Sequence, residues 1–327
     1  MTDYAYIVPS NTKYLPGVTA LLNSLERFGN KYDVIFQHYL IDPGYLAKLK
    51  DYSFTIIPEE ISVAEVEYLG EAEVLMRKRY YRAAELTEYK AICILDADFF
   101  VLKDPFCYFK AAEIGNVVGV TLEQKRRYGD PNHRVDGEFL IDPELWCARD
   151  LCCAPMFVNP TIWSVPLKLS YDIVYRPEKG GVNFEGDKGK FKGPDMDAIN
   201  ICLLKHGSYK HTLCLDQHTW SGLHESLMKI FTRAVVKHDQ LFTEDGREIF
   251  MIHGQWWERV WRGWQIDGQM GMIEREMDNS QRAKSIAQQS FDLVCTWYKD
   301  FATNGPISMN DYLPEGATDI MDYRQEK

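Results

Sequence analysis

Two aspartates separated by one residue follow a short apolar segment. The segment is residues 91–95, and Asp96 and Asp98 come directly after it with Ala97 between them. An apolar run of this length that ends in charged residues is typical of a buried strand in a parallel sheet. In extended chain, residues i and i+2 point to the same side, so the two carboxylates can converge on one cation. The spacing therefore predicts a divalent-metal site at the carboxyl end of a strand, where open α/β sheets bind ligands.

The aspartate pair has simpler interpretations as well. It can lie in a solvated turn after the strand, or its carboxylates can cap the next helix, and so short a motif does not decide between these roles. A second apolar segment, residues 250–252, ends in His253. A lone histidine is more often a hydrogen-bonded structural residue than a ligand. The two upstream aspartates are what favour a metal-binding role for it.

Strands and helices alternate along the first half of the chain. Val18, Leu21, Leu22 and Leu25 have the i, i+3, i+4, i+7 spacing of one apolar helix face. The predicted strands include residues 4–8, 33–41, 54–57 and 91–95, and the predicted helices include 71–86, 195–204 and 270–301. This alternation predicts an α/β fold with a mostly parallel, doubly wound sheet.

Length and composition indicate a soluble globular protein. The chain has 327 residues, 46% of them hydrophobic, and a net charge of -11, which disfavours a nucleic-acid partner without excluding a local basic groove. Its eight cysteines are scattered and form no Cys-x-x-Cys motif, so reduced thiols in the cytoplasm are the simplest interpretation. The sequence has no signal-peptide layout and no apolar stretch of membrane-spanning length, while action at a membrane surface stays open.

Four segments, taken in order, resemble one enzyme family. They are residues 10–17 with Ser24 and Leu25, residues 88–98 (Glu-Tyr-Lys leading into Leu-Asp-Ala-Asp), residues 195–200 (Asp-Met-Asp-Ala-Ile-Asn), and His253-Gly254. They are similar to the first strand-to-helix segment, the E-Y-x-K…L-D-A-D stretch, the D-Q-x-x-L-N segment and the C-terminal metal-ligand histidine of glycosyltransferase family 8. That family includes glycogenin and galactosyltransferases. The resemblance implies a GT-A fold, with a Rossmann-like, mostly parallel central sheet flanked by helices.

The resemblance also implies a metal and a nucleotide pocket. Asp96, Asp98 and His253 would hold the cation, and this mixed oxygen and imidazole set suits Mn²⁺, with Mg²⁺ also open. The base and ribose of the nucleotide would lie against Val8, Ser10, Asn11 and Tyr14, with Tyr14 stacked on the base. The further nucleotide- and phosphate-binding residues would be Lys78, Arg82, Gly254 and Arg259.

The sugar side of the site would be acidic. Asp136 and Gly137 would lie beside the donor sugar, and Asp195 would bind the sugar or stabilise the positive charge at its anomeric carbon. The family retains configuration at that carbon; an inverting reaction would instead need a base, for which Asp136, Glu138 and Asp197 are candidates. Helix capping is the simpler interpretation of Asp195 and Asp197.

Two departures from the family pattern affect the site. The family's Asn-x-Gly is Val135-Asp136-Gly137 here, which alters the contact with the donor sugar. The lysine of the family's C-terminal motif is absent, and Arg259 is the candidate for its phosphate contact, although arginine and lysine are not equivalent there.

The implied activity is hexosyl transfer from a nucleoside diphosphate sugar, with uridine diphosphate as the family's usual carrier. A glycan, a protein, a small molecule and a modified DNA base are all open as acceptors, the DNA base being disfavoured by the acidic charge. Two alternatives are a phosphohydrolase of the haloacid dehalogenase type, whose signature also ends a strand with Asp-x-Asp, and a sugar-binding protein without turnover.

Two domains are predicted. Residues 1–265 would form the catalytic domain, with a nucleotide-sugar half to about residue 105 and an acceptor half after it; residues 266–327 would form a C-terminal helical extension and tail. That helix would serve as a lid or as a contact in a homo-oligomer. Trp257, Trp261 and Trp264 have the spacing of a helix face packed on the core, with an acceptor platform as the alternative.

Overall fold

A computed structural model describes most of the predicted elements of the chain. The described residues are 2–69, 71–121, 151–175, 194–215, 220–221, 235–238, 240–242, 246, 248–253, 281–313, 315–317 and 320. In chain order the strands are β1 (Tyr4–Asn11), β2 (Asp33–Tyr39), β3 (Ile56–Glu60), β4 (Ala91–Ile94), β5 (Phe99–Val101), β6 (Val117–Thr121), β7 (Leu151–Val158), β8 (Thr212–Leu215), β9 (Trp220–Ser221), β10 (Val235–Lys237), β11 (Gln240–Phe242) and β12 (Met251–His253). The α-helices are α1 (Leu15–Phe28), α2 (Pro43–Lys48), α3 (Val63–Leu69), α4 (Glu71–Ala83), α5 (Phe106–Glu113), α6 (Ser164–Tyr175), α7 (Pro194–Lys205) and α8 (Gln281–Thr303).

The main sheet has seven strands among the described residues, in the order β3-β2-β1-β4-β7-β6-β8. Strand β7 runs antiparallel to both of its neighbours, β4 and β6, and the other neighbouring pairs are parallel. A smaller sheet in the order β5-β12-β9 and the hairpin β10-β11 accompany it. The prediction of a mostly parallel α/β sheet flanked by helices is therefore confirmed.

Both faces of the main sheet are covered, which explains why β1 and β4 carry apolar side chains on both faces along most of their length. All eight residues of β1 and all four of β4 are buried. Tyr6 and Val8 belong to one core cluster, shared with α1 and α8, whereas Ala5 and Ile7 belong to a second one, shared with α4, α6 and α7. This alternation is the two-residue period of a strand whose two faces are both dry.

Helix α1 has the predicted apolar face. Val18, Leu21, Leu22 and Leu25 are all fully buried. The helix ends at Gly29, whose φ of 78° lies in the left-handed region, and the amide of Gly29 donates to the carbonyls of Glu26 and Leu25. Glycine adopts this conformation without a Cβ clash, which is why the helix stops here.

Some predicted boundaries were wrong. The second strand ends at Tyr39 rather than residue 41, because Leu40 has a φ of 52°. The third strand continues through Pro58 to Glu60. Among the described strands β3 lies at an edge of the sheet, and an edge strand tolerates the missing amide hydrogen of proline.

Helix α8 packs into the same core cluster as α1. Val294, Tyr298 and Phe301 are buried there, and so are Ile307 and Met309 in the segment that follows. The predicted domain boundary at residues 265–266 lies outside the described residues and stays a prediction. Within the described part of the chain, no helix has the length and apolar character needed to span a membrane.

Candidate functional site

The two aspartates follow β4 at the carboxyl edge of the main sheet. The amide of Leu95 still donates to the carbonyl of Ile7 in β1, 3.0 Å away, so the ladder continues one residue past the strand. Asp96 and Asp98 then lie in the tight turn that leads into β5. Asp98 is 7% exposed, and the Asp96 side chain is 26% exposed. Two carboxylates at such a depth need positive partners, since burying an isolated charge is costly.

Strand β12 brings His253 next to this turn. It pairs antiparallel with β5, and the register sets His253 opposite Phe99, the residue directly after Asp98. Opposed Cα atoms in such a pair are about 4.5–5.5 Å apart. The backbone of His253 is therefore held beside Asp98 by a strand ladder, although the two residues are far apart in sequence.

The metal site itself stays a prediction. Among the described side chains, no group of three or more His, Cys, Asp and Glu residues could hold a metal ion. Those side chains include Asp96 and Asp98 but not the imidazole of His253. Two carboxylates with one imidazole fit Mn²⁺ or Mg²⁺ by donor type, and carboxylates prefer these hard cations.

Arg79 lies at the candidate site and was not among the residues predicted from the sequence. Its side chain is 1% exposed, on the inner face of α4. One guanidinium nitrogen, Nη1, donates to the Asp96 carboxylate and also to the Leu95 carbonyl, 3.1 Å away. Leu75 and Ala83, four residues to either side, are buried too. This helical spacing was the signal that could have distinguished Arg79 from the less buried Lys78 and Arg82.

The two cations that were selected on α4 have glutamate partners. Arg82 donates from Nε and Nη2 to both carboxylate oxygens of Glu59, at 2.7–3.0 Å. Lys78 donates to both oxygens of Glu65, at 2.6 and 2.9 Å. Burial alone would raise the pKa of Glu65, but the hydrogen bonds from Lys78 and Ser62 outweigh it and lower that pKa. Contact of Lys78 and Arg82 with a nucleotide stays a prediction.

The predicted nucleotide-pocket residues share this edge of the sheet. Ile7 pairs with Ile94, so the end of β1 and the aspartate turn extend past the same edge. Ser10 and Asn11 are buried there. The Asn11 side chain accepts a hydrogen bond from the backbone amide of Tyr14 at 3.1 Å, which fixes the turn that carries the Tyr14 ring. Val8 points into the core cluster on the α1 side.

The end of β2 adds two buried polar side chains that were not predicted. His38 pairs in register with Ser10, and Gln37 with Pro9. Within the described structure, Gln37 Oε1 and His38 Nδ1 are buried without a hydrogen-bond partner. Burial lowers the pKa of His38, and the nearby Glu60 carboxylate opposes that shift. In the sequence, Gln37 and His38 follow the apolar residues of β2, and this change from apolar to polar could have predicted that both lie at the edge of the sheet.

Helix α7 begins where the sequence predicted. Asp195 and Asp197 lie in its first turn, and their side chains are outside the described part of the structure. Asn200, from the same predicted segment, donates to the Leu151 carbonyl and accepts from the Leu151 amide, both at 2.8 Å. This pair of bonds fixes α7 against β7. The remaining predicted positions, which lie outside the described residues, are Asp136, Gly137, Glu138, Gly254, Arg259, Trp257, Trp261 and Trp264.

Comparison with solved structures decides the fold. No known protein-family model matches the chain, and neither does any curated protein. A structure described as the bifunctional glycosyltransferase WbbM in its apo form matches 88% of this chain and 52% of its own, with a TM-score of 0.51 and 12% identity. The chain has a glycosyltransferase GT-A-like fold.

A second solved structure also matches this chain. The glycosyltransferase GlyE of Streptococcus pneumoniae TIGR4 matches 89% of this chain and 64% of its own, at 13% identity and a TM-score of 0.48. This chain therefore spans about half of the WbbM chain and under two thirds of GlyE. At such identities the likeness concerns the backbone arrangement alone, and fold does not fix function.

Proposed function

We propose that this chain is a metal-dependent glycosyltransferase of the family 8 type. It moves a hexose from a nucleoside diphosphate sugar, a UDP sugar by preference, to an acceptor with retention of configuration at the anomeric carbon. The observation that carries the proposal is the β5–β12 register, which sets His253 beside the residue after Asp98. The GT-A-like fold supports it by putting the aspartates at the ligand-binding edge of the sheet.

Asp96, Asp98 and His253 are the residues that would hold Mn²⁺ or Mg²⁺. A cation bound there stabilises the negative charge that grows on the departing nucleoside diphosphate. A carboxylate has two oxygens, so Asp96 can accept from Arg79 and ligate a cation together. Arg79 thus orients Asp96 before any ligand arrives, which is the preorganisation that electrostatic catalysis requires.

We assign the nucleotide and the sugar to residues of the other predicted segments. Ser10 and Asn11 bind the base and ribose, and Tyr14 stacks on the base. Asp195 stabilises positive charge on the sugar from the start of α7, and Asp136 belongs to the segment that the family resemblance assigns to the donor sugar. The acceptor approaches from the face that the diphosphate leaves, so that retention needs little help from a protein base.

The alternatives receive less support from the molecule. A haloacid-dehalogenase-type phosphohydrolase would share the Asp-x-Asp after a strand, but the fold of this chain is similar to that of a structure described as a glycosyltransferase. A sugar-binding protein without turnover is the second alternative, and it differs from an enzyme in releasing no product. Donor-dependent release of nucleoside diphosphate separates an enzyme from a binding protein.

The test is a thermal-shift screen of nucleotide sugars with and without Mn²⁺. A ligand at a hundred times its dissociation constant stabilises the folded state by about 2.7 kcal/mol, so the true donor gives a large metal-dependent shift. Asp98→Asn keeps the shape of the side chain and removes its charge. We expect it to abolish the shift and to lower nucleoside diphosphate release by about a hundredfold or more.

The control is Asp51→Asn, which removes an exposed carboxylate away from the aspartate turn. It should leave the shift and the turnover unchanged. A metal-dependent shift of wild-type size in Asp98→Asn would contradict the proposed metal site.

A further inference from the structure

A cavity of about 300 Å³ lies on the α1 side of the main sheet. This volume is at the lower limit of small-molecule sites. Val101, at the far end of β5 from Asp98, lines it. Because three strand residues span about 10 Å, the cavity is separate from the aspartate turn. Its volume is enough for a ligand of one or two rings.

One wall of the cavity is aromatic. Phe28, Trp297 and Phe301 line it. The body of Trp297 packs, half-buried, against the core, and its indole N–H makes no hydrogen bond within the described structure. The Arg27 guanidinium lies over the Phe301 ring, 4.8 Å from its centroid. Trp297 can therefore offer its ring face and its indole N–H to a ligand, whereas one face of the Phe301 ring is covered by Arg27.

The charged residues that line the cavity already have partners. Arg27 forms an ion pair with Asp300, and Lys103 with Glu248. An anion such as phosphate would have to displace a carboxylate from one of these cations. A neutral ligand can instead hydrogen-bond to the pairs without separating them, because guanidinium and carboxylate groups keep further donor and acceptor positions. Gln240, exposed at the rim, adds an amide that makes no hydrogen bond among the described residues.

We propose that this cavity binds one or two sugar residues of a neutral glycan. A sugar ring has a C–H face that can stack on an aromatic ring and hydroxyls around its edge that both donate and accept. Trp297 supplies the ring, while Gln240, Glu248 and Arg27 supply the polar partners. The proposal deepens the proposed function, on which it rests for its biological meaning, by naming a neutral glycan as the acceptor and giving it a subsite away from the transfer site.

The test measures binding of neutral oligosaccharides by saturation-transfer NMR and titration calorimetry. The probes are maltotetraose, cellotetraose, laminaritetraose and N-acetyllactosamine, each alone and without nucleotide. We expect at least one of them to bind. Trp297→Ala should weaken that binding about tenfold or more, as truncation of an aromatic anchor typically does, and Trp297→Phe should lose less. Tyr209→Ala removes an exposed aromatic that does not line the cavity, and it should bind like the wild type.

Two variants distinguish oligosaccharide binding at the cavity from donor binding at the aspartate turn. Asp98→Asn should bind the oligosaccharide normally while losing the metal-dependent donor shift, and Trp297→Ala should do the reverse. Gln240→Ala, a rim substitution that leaves the core intact, should weaken sugar binding several-fold. Absence of binding by all four probes, equal binding in Trp297→Ala, loss of binding in Asp98→Asn, or displacement of the sugar by inorganic phosphate would each overturn the proposal.

Discussion

Arg79 connects the buried helix α4 to the aspartate turn. Its guanidinium neutralises Asp96 and holds the Leu95 carbonyl, so one side chain fixes both the charge and the backbone of the turn. A guanidinium buried to this extent needs an acidic partner, because removing an unpaired charge from water costs several kcal/mol of folding free energy. The turn therefore depends on Arg79 for its shape as well as its charge.

Arg79→Ala should lower the free energy of unfolding by about 3 kcal/mol. Breaking a buried pair costs about 3–5 kcal/mol, and the partial exposure of Asp96 puts this pair at the lower end. Urea denaturation at pH 7 measures the loss. Arg82→Ala on the same helix is the matched comparison, since its pair with Glu59 is only half-buried and should cost about 1 kcal/mol. Equal losses in the two variants would contradict a special role for Arg79.

At the scale of elements, Asn23 ties α1 to the segment around the end of α8. Its amide donates to the carbonyls of Phe301 and Ile307 at 2.6 and 2.7 Å, and its oxygen accepts from the Tyr52 hydroxyl at 2.7 Å. The residue is 2% exposed. All three bonds are thus shielded from water, which makes each lost partner expensive. Gly305 lies so close that a Cβ on it would be 2.2 Å from Asn23 Oδ1.

Asn23→Ala should cost about 3 kcal/mol, because two carbonyls and a hydroxyl lose their partner. Gly305→Ala should also destabilise the wild type, but much less in the Asn23→Ala background, where the clashing amide is gone. A double-mutant cycle by urea denaturation measures this coupling. Asn304→Ala, which removes an exposed bond to Asp300, should change stability by less than about 0.5 kcal/mol. Strict additivity of the Asn23→Ala and Gly305→Ala changes would refute the close contact between the two residues.

At the scale of the whole molecule, the C-terminal helix belongs to the core rather than to the surface. Helix α8 and the residues after it bury Tyr298, Phe301, Ile307 and Met309 against α1. They lie on the side of α1 that carries Thr19 and Asn23, where Thr19 donates to Met309 Sδ and Asn23 donates to the carbonyls of Phe301 and Ile307, and they shield that side of the helix from water. Each such side chain is worth about 1.5–3 kcal/mol when buried, and a domain's net stability is only about 5–15 kcal/mol.

A chain ending at residue 280 should therefore fail to fold cooperatively or should aggregate. Circular dichroism during heating and light scattering measure the two outcomes. Gln289→Ala, which changes an exposed position on α8, is the control and should leave the melting temperature unchanged. A truncated chain that melts cooperatively at the wild-type temperature would show that the helix is a separable extension.

The features that the sequence predicted correctly are local. The face of α1 follows from the 3.6-residue spacing of Val18, Leu21, Leu22 and Leu25, and the strand before Asp96 follows from an apolar run of strand length. The start of α7 was predicted from another local signal, the acidic residues Asp195 and Asp197, which favour the positive end of a helix dipole. Each of these patterns is written within a dozen neighbouring residues, because side-chain periodicity depends only on the local backbone.

Tertiary structure decided which distant groups meet. The β5–β12 pairing brings His253 beside Asp98. The packing of α4 makes Arg79, rather than Lys78 or Arg82, the partner of Asp96. The turn of the chain after α8 brings Gly305 against Asn23. The physical reason is that strand register and helix packing are settled by the burial of whole faces. A short stretch of sequence therefore does not determine which distant residues will lie next to it in the folded protein.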